Sequence, residues 1–183
     1  MKRIPFTFAF AALTTMVVAA IVQGREPSTL AMGVSLPEFT QTGTDQWLKS
    51  APLSVAQLTG RVVLIGFWAF EWWNCYRSFP WMPELEAQFA DRPFQVVSVH
   101  SPEFEREKNI DSVRAKAKEF RLNHPIMVDS DLAFWRAMGN RFWPAYYLVD
   151  KRGRVRNVYV GETRSGDSQA RRIQFAISAL LAE

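Results

Sequence analysis

The sequence predicts an α/β fold, a central mixed sheet flanked by helices on both faces. Three observations predict it. Val62–Trp68 (VVLIGFW) is a continuous apolar run of strand length, the mark of a strand buried on both faces. From there to about residue 138, strand-like and helix-like segments alternate, as they do where strands pair in parallel. The last two strand-like runs, Ala145–Val149 and Val155–Val160, are joined by Asp150-Lys151-Arg152-Gly153. That is a hairpin turn with glycine where a positive φ is needed, so the sheet is mixed.

In chain order, residues 1–24 read as a secretory leader. Lys2 and Arg3 form a basic start, and Ile4–Val22 is apolar apart from Pro5, Thr7, Thr14 and Thr15. Ala19, Ala20 and Gly24 supply small residues for cleavage. The apolar run is also long enough to span a bilayer, so an uncleaved anchor is the alternative. No cysteine lies near its end, which excludes lipoprotein attachment. Residues 25–183 form one domain. Residues 25–60 are turn-rich, with Trp47-Leu48 and Leu53–Val55 open between strand and turn. Residues 54–58 read as one helical turn stopped at Gly60.

After the strand Val62–Trp68, a helix is expected from about Cys75 to Ala90, kinked at Pro80. Met82, Leu85 and Phe89 share its inner face. Phe94–His100 is a second strand. A charged helix from about Glu105 to Phe120 turns Ile110, Val113, Ala117 and Phe120 inward. Ile126–Val128 is a short strand whose Asp129-Ser130-Asp131 end caps a helix over Leu132–Met138. Ser168–Ala182 closes the chain as an amphipathic helix, with Ile173, Ala176, Ile177, Leu180 and Leu181 inward.

Composition excludes several function classes. The chain has 22 basic and 18 acidic residues. Removing Lys2 and Arg3 with the leader leaves 20 basic residues against those 18, too small an excess to support nucleic-acid binding. One cysteine excludes a disulfide framework and a cysteine-rich zinc site, and His100 and His124 have no metal-ligand spacing. Arg152, Arg154 and Arg156 alternate along the hairpin and read as a solvated stripe. Glu71 reads as solvated. His100 and Asp129 sit at strand ends, where polar side chains bond to loops, and Asp129 and Asp131 read as helix caps rather than a metal pair.

Several motifs resemble thioredoxin-like proteins of the periplasmic kind. These are Pro52–Leu64 (PLSVAQLTGRVVL), Phe67-Trp68, Pro80 and Pro83-Glu84-Leu85, His100–Phe104 (HSPEF), Asn140–Ala145 (NRFWPA), Tyr147–Asp150 (YLVD) and Gly153-Arg154. The similarity spans about residues 33–163. It is greatest to the thioredoxin-like domain of DipZ-type thiol-disulfide oxidoreductases, with TlpA-type proteins more distant. The resemblance implies a thioredoxin-like fold, no cofactor, and a Cys-x-x-Cys site whose first cysteine attacks and whose second resolves. If Cys75 is the second, Trp72 stands at the first. It also implies a cis bond before Pro144, in a loop that pairs with an extended peptide.

Cys75 then carries three readings: a small buried hydrophobe, a functional monothiol, or a bridge to another chain. In the monothiol reading a helix N-terminus, with Arg77 assisting, lowers its pKa for mixed-disulfide or peroxide chemistry. Trp72 and Trp73 either pack against Trp143-Pro144 or present an aromatic grip for an apolar partner. The sequence therefore points to an exported, periplasmic or N-terminally anchored relative of thiol-disulfide oxidoreductases with a degenerate CxxC. Its expected action is binding a protein or peptide partner through Trp72, Trp73, Trp143 and Pro144. A monothiol enzyme with Cys75 as the catalytic residue is the alternative. No nucleic acid is expected as a partner, and membrane contact is expected only through an uncleaved leader.

Overall fold

The computed structural model describes residues 32–183, so the leader expected over residues 1–24 lies outside the described residues. Six strands form one sheet: β1 (Trp47–Leu48), β2 (Val62–Trp68), β3 (Phe94–His100), β4 (Ile126–Val128), β5 (Ala145–Val149) and β6 (Val155–Val160). Their order is β1-β4-β3-β2-β5-β6. β2, β3 and β4 are parallel, whereas β5 pairs antiparallel to β2, and the edge strand β6 pairs antiparallel to β5. Trp47-Leu48 proves to be a strand, paired antiparallel to β4 with Trp47 opposite Met127. Gly153 takes φ 74° in the β5–β6 turn, where the sequence places a glycine.

Every residue of β2 is buried. Its side chains alternate between two apolar clusters, as the strand period of two demands. Val62, Leu64 and Trp68 join one cluster with α2 (Trp81–Gln88), α3 (Ile110–Glu119) and α5 (Ser168–Ala182). Val63, Ile65 and Phe67 join the other, with Leu36, Phe39 and Leu58 of the N-terminal segment and Phe134 and Met138 around α4 (Ala133–Ala137). Among the described residues no helix is long and apolar enough to cross a membrane.

Two expected helices are broken. The helix expected over Cys75–Ala90 is two: α1 (Trp73–Ser78) and α2, separated at Phe79-Pro80. Pro80 has no N–H to give the carbonyl of Tyr76, and its ring crowds that carbonyl, so the helix ends and restarts instead of kinking. Pro83 is tolerated because it falls in the first turn of α2. The helix expected over Glu105–Phe120 is a 3-10 turn, Glu105–Lys108, followed by α3. Asn109 makes the break: its backbone is extended, and its side chain accepts a hydrogen bond from the Ser112 N–H at 3.0 Å.

The end of β3 departs from expectation more sharply. Asp129, which follows β4, does bond as a helix cap, accepting from the N–H groups of Phe134 (3.0 Å) and Trp135 (2.8 Å) in α4, and Asp131 accepts from Ala133. His100 does not. It is fully buried, neither ring nitrogen has a hydrogen-bond partner, and the ring lies edge-on to Trp68 and stacked on Phe70. Burial among aromatic rings pushes its pKa down to about 3 from 6.5. The folded state therefore holds His100 neutral where the unfolded chain takes a proton. Its contribution is fully present above pH 6.5 and is lost as pH falls from there toward 3. By pH 4 this one residue should remove about 3 kcal/mol of stability. We expect His100→Phe to flatten the acid limb of stability, read from urea unfolding at several pH values. Parallel acid limbs in the two proteins would show that His100 does not titrate this way.

Candidate functional site

The site lies where β2 runs out into α1. Trp68 ends the strand, and Ala69 and Phe70 stay buried. The chain then reaches Trp72, which is extended (φ −78°, ψ 116°) and precedes the first turn of α1. Its indole is half-buried and stacks on Trp143, with ring centroids 5.9 Å apart and planes 17° apart. Trp143 stacks in turn on Trp135 at 4.2 Å. Trp135 meets the core edge-on at Phe67, 5.7 Å away. Trp143 is held in register by its Nε1–H, which donates to the Ser101 carbonyl at 2.9 Å. The Trp143–Pro144 peptide bond is cis.

Cys75 is buried in the core cluster against which Trp72 and Trp143 pack. It is 1% exposed, and it lines a small internal cavity of about 10 Å³ with Trp68, Met82, Ser98, Pro144 and Tyr146. That volume holds one water at most. Burial pushes the thiol pKa up to about 12; the nearby Glu107 charge adds to the rise, and a backbone hydrogen bond from Ala69 opposes it. The monothiol reading expected the opposite shift. Arg77, expected to assist the thiolate, instead pairs with Glu162 at 3.1 Å and lies over the Trp73 ring. α1 is only six residues long, so its N-terminal field is small beside the desolvation.

The two adjacent tryptophans have different fates. Trp72 packs against Trp143, whereas Trp73 is 64% exposed and carries the Tyr76 ring and the Arg77 guanidinium on its faces. Phe142, beside Trp143, and Phe104, after β3, are also exposed. Glu71 is exposed and paired with Arg106.

One residue with a structural hold on the site was not singled out by the sequence. Glu107 is fully buried and accepts three backbone N–H groups, from Glu71 (3.0 Å), Glu103 (2.8 Å) and Phe104 (3.1 Å). It ties the strand–helix loop to the loop after β3. In a run read as a charged helix, its carboxylate gave no sign of turning inward. The apolar periodicity could have placed Trp135, but nothing in it shows the stack with Trp143. Among the described residues no cluster of His, Cys, Asp and Glu could hold a metal ion.

A family model described as Redoxin matches residues 31–173. The chain is 32% identical over 149 residues to the thiol-disulfide oxidoreductase YkuV of Bacillus subtilis, covering 81% of this chain and 95% of that one. It is 37% identical over 123 residues to the protein DipZ of Mycobacterium bovis, covering 66% of this chain and 18% of DipZ. The chain thus spans less than a fifth of the length of several curated relatives it matches. The solution structure of a thioredoxin-like protein in the oxidized form superposes with a TM-score of 0.67 at 30% identity, over 81% of this chain and 96% of that one. Sheet order, strand–helix junction and matched span agree: this chain belongs to the Redoxin family, within the thioredoxin-like superfamily of thiol-disulfide oxidoreductases and their relatives.

Proposed function

We propose that this protein is an exported member of its family that has given up dithiol exchange and binds an extended apolar peptide at the former redox site. One observation carries the reading: the only cysteine of the sequence is buried in the core cluster against which Trp72 and Trp143 pack. Exchange needs a thiolate that reaches a substrate disulfide and a second thiol that resolves the mixed disulfide. Trp72 occupies the position three residues before Cys75, where the family resemblance puts the attacking sulfur. With a pKa of about 12, Cys75 is thiolate in roughly one molecule in 100,000 at pH 7. Burial disfavours the monothiol alternative on the same ground.

The binding part of the reading rests on exposure. Trp73 at the start of α1, Phe104 after β3 and Phe142 before β5 lie at the same end of the sheet, and each leaves apolar surface in water. Large rings of this kind dominate binding hot spots. The loop before Pro144 offers backbone groups to an extended chain, the mode by which a peptide adds to a sheet. Export rests on the basic and apolar pattern of residues 1–24.

Three outcomes are expected. Cys75 should react with an aromatic disulfide reagent only after denaturation; fast labelling of the folded protein, with an apparent pKa below about 8.5, would restore the monothiol reading. The native protein should reduce insulin disulfides hardly at all, and Trp72→Cys should gain measurable turnover; substantial native turnover would overturn the loss of exchange. Trp73→Ala should weaken capture of apolar peptides on an array by roughly tenfold without moving the melting midpoint. Equal capture by the variant would remove the aromatic grip.

A further inference from the structure

The chain has two histidines, His100 and His124, and both are buried against one face of β3. Ser98 and His100 are two apart in that strand, so they share the face, and His124 meets Ser98 there. The two rings are treated differently. His124 has a partner on each nitrogen: the Ser98 hydroxyl at 2.6 Å and the Glu86 carboxylate of α2 at 3.0 Å. His100 has none among the described residues, and its ring is enclosed by Trp68 and Phe70. A ring face can meet a cation. An imidazolium, however, carries two N–H donors, and here both would stay buried without an acceptor.

His100 also sits where the two halves of the site are joined. Phe70, which stacks on it, lies on the crossing that leads from Trp68 to Trp72. Ser101, the next residue, donates its N–H to the Trp68 carbonyl at 3.0 Å and accepts the Trp143 indole N–H at 2.9 Å. Trp72 and Trp143 are thus held through neighbours of this one imidazole. An imidazole that leaves for water displaces Phe70 or Ser101, and either parts Trp72 from Trp143.

The charged groups on the surrounding elements are committed elsewhere. Glu71 on the crossing pairs with Arg106, and Glu107 holds three backbone N–H groups. Asp129 after β4 caps α4, and Arg77 of α1 pairs with Glu162. Burial alone moves the titration of His100.

We propose that acid opens this end of the fold locally through His100, parting the Trp72–Trp143 stack while the sheet stays folded, and that this sets the pH at which the site lets a peptide go. The second half rests on the peptide-binding reading above; the first does not. An opened chain takes the proton at the ordinary 6.5, whereas the closed one holds it off down to about 3, so opening gains as pH falls below 6.5.

The test is labelling of Cys75 in the full chain by a dipyridyl disulfide, with each rate taken relative to glutathione at the same pH. Cys75 is the only thiol and is buried in the closed form. From pH 7.5 to pH 5 the relative rate should rise about 30-fold. The rise should depend little on dilute urea, because a local opening exposes little surface. His100→Phe should remove it, and His100→Leu gives the same comparison where the larger ring is not accommodated. Glu107→Gln and His124→Gln should keep it. A flat profile in the wild-type protein overturns the proposal. So does a rise that both His100 variants share, one that Glu107→Gln abolishes, or one with the urea dependence of global unfolding. A peptide held at pH 7.5 should leave the wild-type chain at pH 5 and stay on His100→Phe. Absence of capture at pH 7.5 would sink the peptide reading alone, and the labelling profile would still decide the opening.

Discussion

Seven consecutive buried residues in β2 must find apolar partners on two faces at once. That requirement arranges most of the molecule. It places α2 and α5 against Leu64 on one side, and Phe134 and the N-terminal segment against Phe67 on the other. It also fixes where the chain can leave the core. Beyond Trp68 the strand has no neighbour to continue with, so residues 69–72 cross the sheet end and α1 begins there. The loops after β3 and before β5 reach the same end, because β3 is parallel to β2 and β5 antiparallel. A site at this end is a consequence of strand order.

At that junction two electrostatic effects compete for the Cys75 thiol, and their sizes decide the chemistry. A helix N-terminus favours a nearby anion by about 0.3–1 kcal/mol when exposed. The rise of the thiol from 9.0 to about 12 corresponds to roughly 4 kcal/mol against the thiolate. Desolvation wins because the sulfur is buried in the core, and the charge of Glu107 adds to the effect. Glu107 is fixed by its own bonding: three backbone N–H groups hold its carboxylate inside. The residue that keeps the loops in place thus also works against ionising the thiol.

Much of this was legible in the sequence, because β2 and β5 are unbroken apolar runs, β3 is mostly apolar, and a turn glycine marks the start of β6. α5 is marked by apolar spacing that returns every third or fourth residue. What the sequence hid depends on contacts between distant segments. Pro80 signals a disturbance, but whether a helix bends or stops there depends on what α2 packs against. His100 reads like any strand-end polar residue; only Trp68 and Phe70 closing around it leave both nitrogens unpaired. Trp72 and Trp73 are neighbours of one type, and local pattern cannot separate them. The partner that divides them, Trp143, lies about seventy positions away.

That division bears on the loss of exchange chemistry proposed above. The indole at position 72 continues a stack that runs through Trp143 and Trp135 to the core at Phe67. Stacked aromatic pairs add about 0.5–1.5 kcal/mol each beyond the area they bury. The replacement is therefore built into the packing of the cis-proline loop, and the loop holds its shape with no disulfide beneath it. On the reading proposed above, a loop held by packing loses less entropy when it binds a peptide than a loose one would. Loss of the first sulfur and gain of the indole would then act in one direction, toward the proposed binding without turnover.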